Sequence, residues 1–265
     1  MKRITAIKIF LKLYIYRLNH GISHPAGDMV NMLSPVPPEP AEEYKTKWKL
    51  NLALFIITLC TTTLFAPTSG ETVTDALLGS LPYSLTLMTI LSVHEFGHYF
   101  AARKFGVRAT LPFFIPFPSI IGTMGAVIKT KSPIPHTRAL FYIGVMGPIP
   151  GFIVSLAAVI VGVAISSVQY IPINESPVLQ LGNSILFSGI VYIFHGSMPP
   201  GQDLFLHPVA WAGWIGFFIT SLNLMPIGQL DGGHVLYALI GIKQRYAGWA
   251  ALVILAVLTF IWPGW

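Results

Sequence analysis

Leu91-Ser92-Val93-His94-Glu95-Phe96-Gly97-His98-Tyr99-Phe100 sets H-E-x-x-H inside an apolar run. Two histidines four residues apart share one face of a helix, where both can reach a single metal ion. The glutamate beside the first can act as a base toward water activated by that ion. The surroundings sharpen the motif. An ionisable group in a membrane helix costs roughly 2.5–3.5 kcal/mol, so His94, Glu95 and His98 in one such stretch call for a shared purpose.

The rest of the composition fits a membrane setting. Hydrophobic residues make up 54% of the 265 and charged residues only 10%, against roughly 25% charged in a soluble domain. Mean hydropathy is +0.68. The net charge of +6 does not indicate nucleic-acid binding, because most Lys and Arg gather at the ends of apolar runs, where they set topology. Cys60 is the single cysteine, which excludes an intramolecular disulfide and a cysteine zinc cluster. The expected fold is an all-α polytopic membrane protein of about five to six transmembrane helices with a short re-entrant β-type loop.

Two domains are expected. Residues 1–44 combine a basic amphipathic helix (Ile4, Ile7, Leu11, Tyr14 and Leu18 at helical spacing, interrupted by Lys and Arg) with a Pro-rich linker. Such a helix suits an anionic membrane face, and no cleaved signal peptide is read there. Residues 45–265 form the membrane-embedded domain. Its spans are expected near residues 50–66, 81–105, 139–168, 209–224 and 247–262, with residues 67–75 as the loop between the first two and 185–194 too short for an independent crossing. Residues 109–135 carry five prolines and two β-rich pieces around Gly122 and Gly125. They read as a hairpin lining the site, since non-helical backbone at membrane depth needs protein or a wet cavity beside it.

The positive-inside rule puts the N-terminus in the cytoplasm of a multi-pass cell-membrane protein. Lys45, Lys47 and Lys49 flank the first span, and Arg103, Lys104 and Arg108 end the second. His94 then lies about 13 residues into the second span, ~20 Å along its axis. If residues 185–194 stay on the outer side, the fourth span ends in the same cytoplasmic half as His94 and His98. That end carries Asn223-Leu224-Met225-Pro226-Ile227-Gly228-Gln229-Leu230-Asp231-Gly232-Gly233-His234.

H-E-x-x-H supplies two ligands, and catalytic zinc usually has three and an open position. Asp231, the only acid after Asp203, is the candidate third ligand. It could instead cap the helix that follows, and His234 is the rival ligand. Pro226 ends a helix and lets the backbone after it approach a partner closely. His20, His24, His136, His195 and His207 read as surface or packing residues.

The order His94-Glu95-Phe96-Gly97-His98, then Asn223-x-x-Pro226, then Leu230-Asp231-Gly232-Gly233 resembles the site-2 protease family of intramembrane zinc metalloproteases, in a compact form without a PDZ-like insertion. The resemblance covers roughly residues 80–240. It implies a zinc metalloendopeptidase with one Zn2+ per chain held by His94, His98 and Asp231, with Glu95 as general base on zinc-bound water and Asn223 orienting substrate or stabilising the oxyanion. Gly122-Thr123-Met124-Gly125 matches a family loop, so Gly122, Gly125 and Pro226 are expected at the substrate. The implied partners are a transmembrane protein substrate and the lipid bilayer. Gly147-Pro148-Ile149-Pro150-Gly151 lacks the asparagine that some members carry there, and no polar role is assigned to it. Two other readings use the same residues. A metal-ion transporter would favour repeated halves, and no second H-E-x-x-H span exists. A catalytically silent membrane binding module has no need of Glu95.

Overall fold

The structure is a computed structural model that describes residues 48–66, 72–170, 182 and 184–261. The chain divides into two units, Met1–Lys45 and Thr46–Trp265. The amphipathic arm and Pro-rich linker expected over residues 1–44 lie outside the described residues.

The second unit is mostly helical. In chain order it contains α1 (Trp48–Leu64), α2 (Val73–Lys104), β1 (Phe113–Pro116), β2 (Thr123–Val127), α3 (Thr137–Val145), α4 (Pro148–Ala164), β3 (Ser167–Tyr170), α5 (Ile185–His195), β4 (Gln202–Phe205), α6 (Pro208–Asn223), α7 (Asp231–Ile240) and α8 (Gln244–Ile261). Among the described residues, three stretches are long and apolar enough to cross a membrane: α2, Thr137–Ala164 comprising α3 and α4, and Asp231–Phe260 comprising α7 and most of α8. α1 has 17 residues and α6 has 16, short of the roughly 20 that a perpendicular crossing takes.

Burial runs opposite to that of a soluble protein. Thr58, Thr62, Ser84 and Ser155 are completely buried, while Ile56, Leu85, Ile153, Tyr192 and Trp249 lie on the outside. Polar residues between helices and apolar ones facing out suit a lipid solvent. The core joins Tyr83, Leu87, Met88 and Leu91 of α2 to Phe114 of β1 and Trp211, Ala212 and Ile215 of α6. α4 packs along α6, where a methyl group on Gly162 would come within 2.2 Å of the Ala210 backbone.

α2 starts eight residues before the expected span. Thr72 caps it by accepting the Asp75 N–H at 3.1 Å, and Asp75 sits in the first turn, where a negative charge meets the positive end of the helix dipole. The helix continues through Pro82. Two residues on, the Ser84 hydroxyl donates to the Ser80 carbonyl at 3.2 Å. The expected third span divides at Gly147-Pro148 into α3 and α4, as the proline requires. Its expected end is strand rather than helix: β3 pairs antiparallel with β4, which follows α5 in the chain, a pair that the sequence does not announce.

The β1–β2 hairpin falls where the prolines and β-rich pieces indicate, with Phe113 opposite Val127 and Phe114 opposite Ala126. Helices on two sides hold it. Buried Asn51 of α1 donates to the carbonyls of Leu111 at 3.0 Å and Pro112 at 2.8 Å. At the turn, the Thr61 hydroxyl donates to the Gly122 carbonyl at 2.7 Å and the Tyr83 hydroxyl to the Ile121 carbonyl at 2.9 Å. Gly122 has φ +80°, and a Cβ there would lie 2.4 Å from Thr62 Cα. Gly122→Ala is therefore expected to destabilise the protein by more than the roughly 1–2 kcal/mol of a left-handed residue with a Cβ, because the turn must also retreat from α1. An unchanged thermal unfolding midpoint in detergent would refute this.

Candidate metal centre

α2 places His94 and His98 one turn apart on its buried face, 3% and 6% exposed, with Glu95 at 6%. Asp231 reaches them from the first residue of α7. Its Oδ2 lies 3.3 Å from His94 Nε2 and 3.2 Å from His98 Nε2, and the two Nε2 atoms are 3.2 Å apart. Nitrogen and oxygen ligands on a tetrahedral zinc, at about 2.0–2.2 Å from the ion, stand roughly 3.3–3.6 Å from one another. The three atoms thus form a triangle close to one face of such a site. Two neutral imidazoles and a carboxylate are also the donor types that zinc takes. This is the one group of three or more candidate metal ligands among the described residues.

Local sequence explains how Asp231 arrives there. The cap position of α7 is Leu230, with no side-chain capping bond, so Asp231 does not act as the N-cap and its carboxylate turns to the histidines. The two glycines after it let the helix start pack down. A Cβ at Gly232 would lie 2.0 Å from the Leu224 carbonyl oxygen, and one at Gly233 would lie 2.5 Å from that of Gly228.

The other expected site residues are placed as follows. Asn223, the last residue of α6, brings its Nδ2 to 3.3 Å from His94 Nε2. The Glu95 carboxylate lies beside the backbone N–H of Ile128, just past β2. Gly125, φ +95°, donates its N–H to Thr123 Oγ1 at 3.0 Å, and the space where its Cβ would lie is open. Gly122 makes its close contacts with α1, and the Pro226 carbonyl accepts from Gln244 Nε2 of α8 at 2.9 Å. His234 is not part of the cluster. His136 and His207 cap α3 and α6, and His195 Nε2 lies 2.8 Å from the Val163 carbonyl, so all three have structural partners. His20 and His24 lie outside the described residues.

One partner was not anticipated. His98 Nδ1 lies 2.6 Å from the Ile143 carbonyl. A carbonyl only accepts, so Nδ1 carries the proton and Nε2 presents its lone pair to the cluster. Backbone acceptors leave no mark in residue type, and the only sequence signal was the helix break just beyond, at Gly147-Pro148.

A buried two-histidine, one-carboxylate cluster with a second acid beside it, on a helix of membrane length, defines a membrane protein built around a metal-ligand site. Residues 82–261 match Peptidase family M50, well over half of the chain, and the chain belongs to that family. It is similar to "Probable zinc metalloprotease EGY1, chloroplastic" of Oryza sativa subsp. japonica, 32% identical over 169 residues covering 61% of this chain and 28% of the relative. It is also similar to "Probable zinc metalloprotease EGY2, chloroplastic" of Arabidopsis thaliana, 29% identical over 171 residues, 64% of this chain and 30% of the relative. The Arabidopsis thaliana EGY1 protein is 30% identical over 192 residues, 70% of this chain and 33% of that one. The chain thus spans about a third of the length of these relatives.

Proposed function

We propose that this chain is an intramembrane zinc metalloendopeptidase that hydrolyses peptide bonds within or near the transmembrane segments of membrane-protein substrates. The observation that carries the reading is the His94, His98 and Asp231 triangle buried on a membrane-length helix, with Glu95 beside it. Membership in a peptidase family and the zinc metalloprotease names of its relatives support it.

His94, His98 and Asp231 would hold one Zn2+, which when bound would supply Lewis-acid polarisation of the scissile carbonyl and a lowered pKa for water. Glu95 takes the proton as the water oxygen bonds to the carbonyl carbon, then delivers it to the amine as the C–N bond breaks. Asn223, from the end of α6, donates to the oxyanion. The described strands of this sheet are only β1 and β2, and β1 lies toward α1, so the outer edge of β2 can receive an unwound substrate segment by strand addition. Gly125 leaves room beside that edge. Pro226 and Gly122 act on substrate through the loops they shape.

In the membrane, α1, α2, the α3–α4 stretch, α6 and α8 make five crossings, α7 and Gly241–Lys243 lie on the cytoplasmic half before the fifth, and the β1–β2 hairpin is re-entrant. The embedded protease domain falls within residues 45–265. The N-terminus, Arg103, Lys104, Arg108, Lys243 and Arg245 share the cytoplasmic side of a cell membrane.

The test is the position of the cut. Zinc-loaded protein in lipid vesicles with a membrane-spanning peptide is expected to yield products whose new termini map by mass spectrometry into or beside the apolar segment. Cleavage confined to soluble peptides, or no cleavage of any membrane peptide, would overturn the reading.

A further inference from the structure

α3 ends at Val145 and α4 begins at Pro148. Proline has no N–H, and its ring clashes with the carbonyl four residues earlier, here that of Gly144. In an uninterrupted helix the Ile143 carbonyl would face the Gly147 N–H. Across this break it accepts from His98 Nδ1 instead, at 2.6 Å.

The residues after the break face the same ligands. A Cβ on Gly147 would lie 2.0 Å from His98 Nε2 and 2.4 Å from the two ring carbons beside it. One on Gly151 would lie 3.1 Å from both Cβ and Nδ1 of His94. Gly147 and Gly151 are one helical turn apart, as are His98 and His94, and they meet in reverse order, glycine against imidazole. From the other side, a Cβ on Gly97 would lie 1.8 Å from the Met146 carbonyl oxygen. The metal-bearing helix and the break thus meet with no side chain between backbone and ring.

We infer that Gly147-Pro148-Ile149-Pro150-Gly151 is the positioning element of the metal centre: the break frees the Ile143 carbonyl to orient His98, and Gly147 and Gly151 keep open the space that the two imidazoles occupy. Gly147 and Gly151 are positioning residues, acting through the ligands. The inference rests on the metal-centre reading above. The alternative is ordinary close helix packing, for which small residues are common in membranes. Gly162 supplies the comparison, because a Cβ there would clash as severely, at 2.2 Å, but against Ala210 and away from the ligands.

The experiment measures zinc affinity of the purified full chain in detergent by competition with a chromophoric chelator, with folding followed by size exclusion and thermal unfolding. Loss of an outer-shell partner typically weakens metal binding about 10–100-fold. Gly147→Ala is expected to weaken zinc binding by at least that much. Gly151→Ala, where the contact is looser, is expected to weaken it several-fold. Gly162→Ala is expected to lower the unfolding midpoint and leave zinc affinity within about twofold. Wild-type affinity in Gly147→Ala, or an equal loss in Gly162→Ala, overturns the inference. Should Gly147→Ala fail to fold, Gly151→Ala against Gly162→Ala decides, and equal affinities overturn it. A wild-type chain that binds no zinc overturns the metal-centre reading itself, and this inference with it.

Discussion

Glu95→Gln is expected to lower peptide-bond hydrolysis roughly 10²–10⁴-fold, the usual contribution of a positioned general base, while zinc content stays at wild-type level. The substitution is close to isosteric. The Gln side chain has the same shape and can still lie beside the Ile128 N–H. What disappears is the ability to take and return a proton. Because Glu95 lies outside the cluster of His94, His98 and Asp231, zinc binding and chemistry separate cleanly. The measurements are metal per protein by elemental analysis and turnover of a membrane-spanning peptide in vesicles. Equal turnover in the variant would remove Glu95 from the mechanism. Loss of zinc alongside activity would make Glu95 a ligand or a support for one.

Asp231→Ala is expected to abolish both stoichiometric zinc and hydrolysis. Its carboxylate oxygen stands within 3.3 Å of both imidazole nitrogens, and without it two histidines on one helix remain. The loss of zinc affinity is expected to exceed the roughly 10–100-fold typical of an outer-shell partner. The helix start itself is expected to persist, because the cap position is Leu230 and Asp231 makes no capping bond. Dialysis against a weak chelator followed by zinc analysis checks this, with wild type retaining one ion per chain. A variant that keeps zinc and activity would shift the third-ligand role to another residue, with His234 the first to examine.

Much of this centre was legible because its ligands are polar residues in an apolar text. His94 and His98 stand out in an apolar run, and charge asymmetry, with residues 185–194 kept on the outer side, led to the expectation that Asp231 shares their half of the bilayer. The break at Gly147-Pro148 was legible too, since proline carries its backbone consequence in its residue type. Two kinds of feature were not. Backbone partners such as the Ile143 carbonyl and the Ile128 N–H have no sequence signature, as every residue but proline offers both groups. The β3–β4 pair was hidden because Ser167–Tyr170 follows the apolar run of α4, where a four-residue strand reads as the tail of a helix, and its partner strand lies beyond α5. The early start of α2 was masked because Asp75 reads as a loop acid, whereas it sits in the first turn of the helix.

The four hydrogen bonds from Asn51, Thr61 and Tyr83 to the β1–β2 hairpin have a mechanical consequence. The hairpin is braced at its open end by Asn51 and at its tip by Thr61 and Tyr83, and the braces belong to α1 and α2. It behaves as a sill rather than a flap. A peptide laid along it meets a fixed ruler whose zero is set by the helix that carries the metal ligands, so which bond is presented depends on where the peptide stops along the strand. Any opening that admits the peptide has to come from walls that these braces do not hold.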